Sequence, residues 1–329
     1  MRVLVTGGSG FIGSHIVRAL AERGDAVLSF DARPPGPEAA WWLHPVASRY
    51  TFVQGRVEDW VDLVVAMTNG PIDAVVHTAA VVNPVLLHRS PSLAVQVNLV
   101  GTFNVLAASH LFGVRRVVYF SSVGVLPGIR YEPVDVNHPV IVGNEGPGAS
   151  FYGATKLAGE AFCFAFHQAY GLDFVALRPS AVYGFGMQWP IYIKPMVENS
   201  VRGIPTRFER GREFPRDYTH VGDVVQITLR ALDVPSDRLR DRIFYAATGR
   251  PLVTAGAVAE IVRSLVPGAD IEIGSGLSEE DLVEIRYRGV LSIENARVQL
   301  GYEPRYADIR EGIAEYVAVY RRYLEETGG

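Results

Sequence analysis

Arg2-Val-Leu-Val-Thr-Gly-Gly-Ser-Gly-Phe-Ile-Gly13 opens the chain. Arg2–Thr6 is a short apolar run of buried-strand type, and Ile12 to Leu20 carries apolar residues at helical spacing. Between them Gly7, Gly10 and Gly13 recur at three-residue spacing, with Phe11 and Ile12 inside the turn. Strand, glycine turn and helix form the order of a dinucleotide-binding unit. Glycines let the backbone approach a pyrophosphate, and the helix N-terminus offers N–H groups and a positive dipole end. The spacing is G-x-x-G-x-x-G rather than G-x-G-x-x-G. A second strand, Ala26 to Phe30, ends in Asp31, about 20 residues after the glycines. A carboxylate there accepts hydrogen bonds from the adenosine ribose and repels a 2′-phosphate, which favours NAD over NADP. Arg33 stands close by as a group that could bind that phosphate.

The second informative stretch is Phe151-Tyr-Gly-Ala-Thr-Lys-Leu-Ala-Gly-Glu160. Phe151 to Tyr170 lacks proline and has Leu157, Ala161, Phe164 and Ala165 at helical spacing, so it reads as a helix. Tyr152 and Lys156, four apart, then share a face. A free tyrosine titrates near ~10 and is a poor base at neutral pH. A neighbouring ammonium favours the phenolate and brings the side chain toward the range where a general base works.

Strand-like runs alternate with helical runs through the first half: Arg2–Thr6, Ala26–Phe30, Thr51–Gln54, Ala74–His77, Val117–Ser121 and Phe174–Leu177. The alternation predicts an α/β fold with a doubly wound parallel sheet. Gly7, Asp31, His77, Ser122 and Pro179 fall at the carboxyl ends of those strands, where such sheets bind ligands. A chain of 329 residues, 48% hydrophobic, can bury a large core. A net charge of −4 with no basic stripe argues against nucleic acid. The single Cys163 and the spacing of the eight histidines suit neither a disulfide nor a metal cluster. The apolar stretches read as shorter than the ~20 residues of a membrane span, and the chain starts at once on a strand, so a cytoplasmic protein is the expectation.

Several ordered motifs resemble the extended short-chain dehydrogenase/reductase family, its sugar-nucleotide epimerase and dehydratase group, nearly end to end. They are Thr6-Gly-Gly-Ser-Gly-Phe-Ile-Gly13, His77-Thr-Ala-Ala80, Val97-Asn-Leu-Val-Gly-Thr-Phe-Asn-Val105, Phe120-Ser-Ser-Val123, Leu177-Arg-Pro179 with Val182-Tyr-Gly184, Arg216-Asp-Tyr-Thr-His-Val-Gly-Asp-Val224 and Leu300-Gly-Tyr-Glu-Pro304. The resemblance implies a Rossmann domain at residues 1–180 plus about 217–249. A smaller discontinuous α/β substrate domain would occupy about 181–216 plus 250–329. It implies Tyr152 as the catalytic base, Lys156 as the group that lowers its pKa and holds the nicotinamide ribose, and Ser122, rather than its neighbour Ser121, as the hydroxyl on the substrate alcohol. It further implies NAD contacts by His77, Ala79, Asn98, Ser121 and Pro179, substrate contacts by Ser180, Tyr183 and Arg216, and a homodimer. The dimer face would draw on the helices over Val95–Phe112 and Tyr152–Tyr170, with Leu106, Leu111, Phe162 and Phe166 as candidates.

Departures narrow the activity. Val123 and Gly124 follow Ser122 where dehydrating relatives carry an acid pair, and a glutamate of the decarboxylases is also missing. Gly55-Arg56 replaces a Gly-Asp pair that meets adenine, and Ala181 replaces an asparagine that touches a substrate diphosphate. Transient oxidation of a sugar alcohol followed by return of hydride to the other face, which is epimerisation, is the leading reading; net NAD-dependent dehydrogenation of a sugar, sugar acid or other secondary alcohol is the alternative. Arg207, Arg210, Arg212 and Arg216, with the aromatic stretch Phe185–Tyr192, read either as a solvated arginine face and a core stripe or as the anion-binding side and apolar wall of a substrate pocket, and the loop Gly128 to Gly148, with His138, Asn144 and Glu145, is long enough to cover the substrate.

Overall fold

The computed structural model describes residues 1–68, 70–126, 128–140 and 150–328. Its centre is a seven-stranded parallel sheet. In chain order the strands are β1 (Arg2–Thr6), β2 (Ala26–Asp31), β3 (Tyr50–Gln54), β4 (Ala74–His77), β5 (Arg116–Phe120) and β6 (Asp173–Pro179), joined by Ile243–Ala246. In space the order is Ile243–Ala246, β6, β5, β4, β1, β2, β3. The chain therefore reverses direction between β1 and β4, and a crevice opens there at the carboxyl ends.

The strands are short apolar runs because helices cover both faces. Val3, Leu4 and Val5 are all completely buried, as are Val75, Val76, Val117 and Val118. Alternate residues feed two cores. Val3, Val5, Val76 and Val118 pack with Ile16, Leu20, Val224 and Ile227 on one face. Leu4, Val75, Val117 and Tyr119 pack with Leu63, Val105 and Cys163 on the other. The seventh strand escapes a sequence-only reading because Ile243-Phe-Tyr-Ala246 is four residues long and follows a turn-rich stretch. A third core, built on Tyr183, Phe185, Met196, Val258, Val262 and Tyr316, belongs to the smaller C-terminal layer.

Pro91–Leu111 is a continuous helical run of 21 residues, with a mean hydropathy of 1.3 over its most apolar window. By length and composition it could cross a membrane, which corrects the reading that every apolar stretch is too short. It packs beside the helix Phe151–Tyr170, and its Asn98, Thr102 and Ser109 are buried within the protein.

Two buried ion pairs pin the sheet. The Arg116 guanidinium donates to Asp173 and to the carbonyls of Ala231 and Val234. Arg178 donates through Nε and Nη2 to both oxygens of Glu160, each at 2.7 Å. Such pairs are costly to break because the orphaned charge stays buried.

Asp217 lies buried between the two layers. Its Oδ1 accepts from the Thr248 hydroxyl at 3.3 Å, and its Oδ2 has no protein partner. Burial pushes its pKa from 3.8 up to about 7. The native state then binds more protons than the unfolded chain between these values, so Asp217 makes stability fall as pH rises from about 4 to about 7. Asp217→Asn should remove that slope. Melting curves should show the variant gaining on the wild type between about pH 5 and pH 8; a constant difference in Tm would mean that Asp217 does not titrate in this window.

Candidate active site

A cleft of about 630 Å³ occupies the crevice between β1 and β4. Gly7, Gly10, Phe11, Ile12 and Gly13 form its floor, and the helix α1 (Phe11–Arg23) starts from it. Gly7 has φ +72°, a left-handed conformation that glycine adopts without strain. A Cβ on Gly13 would stand 2.0 Å from the Gly7 carbonyl oxygen, so helix and turn touch through bare backbone. No side chain caps the N-terminus of α1 at Gly10. The first-turn N–H groups are thus free for an anionic ligand, as a pyrophosphate requires.

Asp31 closes one end of the cleft. Its Oδ2 accepts from the Ser9 N–H at 3.1 Å and its Oδ1 from the Arg33 N–H at 3.2 Å. Burial raises its pKa, while those N–H groups and the Arg33 charge pull it back. Arg33, Gly55 and Arg56 line the same end. The Arg56 guanidinium lies within 4.0 Å of Glu58 and 3.6 Å of Asp59.

Ser122, Tyr152 and Lys156 line the other half of the cleft. Ser122 caps the short turn Val123–Val125, its Oγ accepting from the Gly124 N–H at 2.9 Å. Tyr152 stands in the first turn of Phe151–Tyr170, whose N-cap Ser150 accepts from the Gly153 N–H. Burial raises the Tyr152 pKa, and a hydrogen bond with Ser122 lowers it. The Lys156 ammonium donates to the Phe120 carbonyl at 2.6 Å and lies 5.8 Å from the Tyr152 ring centre. Burial lowers the Lys156 pKa to about 8, and nearby Cys163 and Glu160 oppose that shift. In this geometry the phenol is held neutral.

Ala79, Ser121, Pro179 and Ser180 also line the cleft. The Ser121 hydroxyl turns inward and donates to Glu160 at 2.5 Å. The Ser180 hydroxyl pairs with that of Thr219 at 2.6 Å.

Four expected contacts lie off the cleft. His77 is buried beneath it between the hydroxyls of Thr6 (2.7 Å) and Thr102 (3.0 Å), and burial holds its pKa near about 3, so its ring is neutral. Asn98 is buried and spends its amide on Val81, accepting from the N–H at 2.7 Å and donating to the carbonyl at 3.0 Å. It orients the wall after β4 rather than touching the cavity. Tyr183 is fully buried, with its ring in the third core; a Cβ on Gly312 would lie 2.0 Å from its hydroxyl. Arg216 stacks over Phe214 and donates to Glu284 at 3.1 Å, and so pairs with neither Asp217 nor the cleft. The other arginines disperse, Arg207 to Asp270 and Glu272 and Arg212 to Glu260.

Phe185 is a core residue, Met187 is buried but also lines the cleft, and Gln188 and Trp189 reach it. In the long loop, His138 is buried and accepts from the Arg130 N–H at 2.8 Å; Asn144 and Glu145 lie outside the described residues. Sequence reasoning missed the Glu160–Arg178 pair beneath the site. Its signal was a lone carboxylate one turn beyond Lys156 on an otherwise apolar helix stretch.

Residues 3–247 match the NAD dependent epimerase/dehydratase family. The chain is 31% identical to a UDP-glucose 4-epimerase of Mycolicibacterium smegmatis, over 98% of this chain and 99% of that one. It is 28% identical to a 3-beta-hydroxysteroid dehydrogenase of Mycolicibacterium neoaurum, over 97% and 91%. The solved UDP-glucose 4-epimerase of Thermus thermophilus, a complex with NAD, superposes with a TM-score of 0.79 at 29% identity, over 98% and 99%. The chain belongs to the NAD-dependent epimerase/dehydratase family. It is an NAD-dependent enzyme of the extended short-chain dehydrogenase type.

If Asp31, at the end of the cleft, accepts from ribose hydroxyls and repels a 2′-phosphate as its place after β2 implies, Asp31→Ala should raise the use of NADP relative to NAD. Dissociation constants for both dinucleotides measure this; an unchanged ratio removes Asp31 from the cofactor site.

Proposed function

We propose that this chain is an NAD-dependent epimerase of a sugar-type secondary alcohol, free or nucleotide-linked, with Ser122, Tyr152 and Lys156 as its catalytic residues. We take residues 1–180 with about 217–249 as the cofactor domain and the remainder as the substrate domain. The observation that carries the reading is that one cleft holds both the uncapped glycine turn and the Ser122, Tyr152 and Lys156 side chains.

When bound, NAD supplies the hydride acceptor and a positive charge beside the phenol. Gly7, Gly10 and Gly13 would hold its pyrophosphate, and Asp31 its adenosine ribose. With that charge beside it the phenol would give up its proton, and the resulting phenolate would take the carbinol proton as the carbon loses hydride and return it when hydride comes back. Ser122 bonds the same oxygen and the Tyr152 hydroxyl, fixing the angle between them. The Lys156 ammonium has three donors. One is committed to Phe120, which leaves the others for the cofactor ribose. Val123 and Gly124 beside Ser122 have no group to move a second proton, so water loss from the ketone is not assisted.

We further propose a homodimer through the helical runs 94–111 and 151–170. Val95, Phe103, Leu111, Phe164 and Tyr170 are each at least 42% exposed there. Leu106 and Phe166, candidates for that face from sequence, are buried in the monomer core.

Tyr152→Phe should abolish hydride transfer and leave NAD binding intact; a fully active variant would sink the mechanism. Denaturing freshly purified enzyme should release one NAD per chain, because an epimerase keeps its cofactor through turnover. An empty protein would point to a dehydrogenase with exchangeable cofactor. Phe103→Asp should shift sedimentation from dimer to monomer, and an undisturbed dimer would place the interface elsewhere.

A further inference from the structure

We propose that the protein carries a second ligand site, beside the cofactor cleft, for a small organic ammonium that also bears an oxygen acceptor. The inference is independent of the epimerase reading.

A cavity of about 310 Å³ lies where the two layers meet. From the cofactor side, α1 contributes Phe11, Ser14 and His15, and the helix Pro37–Leu43 contributes Glu38 and Trp42. From the C-terminal layer come Phe185 and Tyr323, both packed in the third core. This is not the cofactor cleft. Gly7, Gly10, Ile12 and Gly13 line the cleft and not this cavity, whereas Ser14, His15 and Trp42 line this cavity and not the cleft. Among the described residues, only Phe11 and Gln188 line both.

The walls are aromatic. Between ring centres, His15 and Trp42 lie 4.3 Å apart, Trp42 and Phe185 6.0 Å, and Phe185 and Tyr323 5.2 Å. Phe11 meets His15 edge-on at 5.7 Å. Burial lowers the His15 pKa to about 4, and its Nε2 donates to the Phe185 carbonyl at 2.9 Å, so this ring is neutral.

Among the described residues, no lysine or arginine lines the cavity, and its one carboxylate is Glu38. Burial raises the Glu38 pKa, and no hydrogen bond opposes that shift. Lys194 acts on it through space, but its ammonium is held by Glu198 at 2.7 Å. Arg18 stacks on Trp42 at 4.1 Å, and Glu22 takes its charge at 2.8 Å. Aromatic faces around one unpaired carboxylate form the chemistry that binds an ammonium ion. The ring quadrupoles attract it, and Glu38 supplies the counter-charge.

Two more atoms say what else the ligand carries. Ser9 Oγ and Trp42 Nε1, both on residues of the cavity wall, are buried without a partner. Each can donate a hydrogen bond, and a buried donor left unpaired is costly. An oxygen on the ligand would satisfy them.

The test is calorimetric titration of the NAD-loaded enzyme with choline and with its uncharged isostere, the alcohol in which a tert-butyl group replaces trimethylammonium. Choline should bind saturably, at least about tenfold more tightly than the isostere. Tetramethylammonium, which lacks the oxygen, should bind about fivefold more weakly than choline. Glu38→Gln should weaken choline about tenfold and leave the isostere unchanged. Tyr323→Leu, which removes a ring and keeps apolar volume, should weaken choline about fivefold and gives a second variant should the first disturb folding.

Equal binding of choline and its isostere overturns the proposal. So does a failure of choline to bind, choline binding that ignores both variants, or tetramethylammonium binding as tightly as choline. Choline that binds only after NAD is removed also overturns it, because the cavity would then be part of the cofactor's own site. No hydride transfer enters any of these titrations, so a choline site found in an enzyme that epimerises nothing leaves this proposal standing while the epimerase reading fails.

Discussion

The backbone contact between Gly7 and Gly13 is the constraint on which the site depends. A methyl group at residue 13 would collide with the Gly7 carbonyl, so α1 can press onto the end of β1 only because residue 13 carries no side chain. That closeness aims the uncapped end of α1 into the crevice beside β4. It also brings the Gly7 N–H to the Phe30 carbonyl at 2.8 Å, tying the turn to β2 and setting the distance to Asp31. Packing at one contact thereby becomes spacing across the cofactor cleft.

The reacting half has its own anchor, one layer down. Glu160 gathers Arg178 and the Ser121 hydroxyl, and Arg178 stacks 5.8 Å from the centre of the Tyr245 ring. Glu160 belongs to the helix that carries Tyr152 and Lys156, Ser121 to the end of β5, Arg178 to β6, and Tyr245 to the seventh strand. One carboxylate fixes four elements relative to one another. Burying these charges is costly, and the compensation is geometric: Ser122 and Tyr152 meet because the network leaves their elements one arrangement.

The sequence showed most clearly what local chemistry dictates. Arg2–Thr6, the three glycines and Asp31 announce themselves because a buried strand, a backbone turn and a strand-end carboxylate each need particular residue types. The pair Tyr152 and Lys156 was legible through helical spacing. Contacts made across large sequence distances left no such trace. His77 sits in a motif that the family resemblance sets beside the cofactor, yet whether its ring faces the cavity is decided by Thr6 and Thr102, 71 and 25 residues away. Arg216 keeps its motif while Glu284, 68 residues on, redirects its guanidinium. Tyr183 follows Ser180 closely, but the pleat of Ala181–Tyr183 and the absence of a side chain at Gly312 send its ring inward. Exposure was equally hidden: Leu106 and Leu111 lie on one helix with similar character, and only tertiary packing buries the first and leaves the second open.

The run 94–111 changes its winding partway along. Ala94–Val100 is π-helical and Gly101–Leu111 is α-helical. A π turn holds one residue more than an α turn, so this stretch behaves as an insertion absorbed inside a helix. Winding all of its residues as ordinary α-helix, with none removed, would rotate everything upstream by about 100° about the axis. Asn98 lies within the stretch, and its amide would swing off Val81. The surplus residue acts as a phase shifter: it lets a helix whose later turns are set by packing still deliver an amide to the cleft wall. For this segment winding matters as much as identity, and a change that straightens the π turn while sparing every named side chain would still mis-set the site.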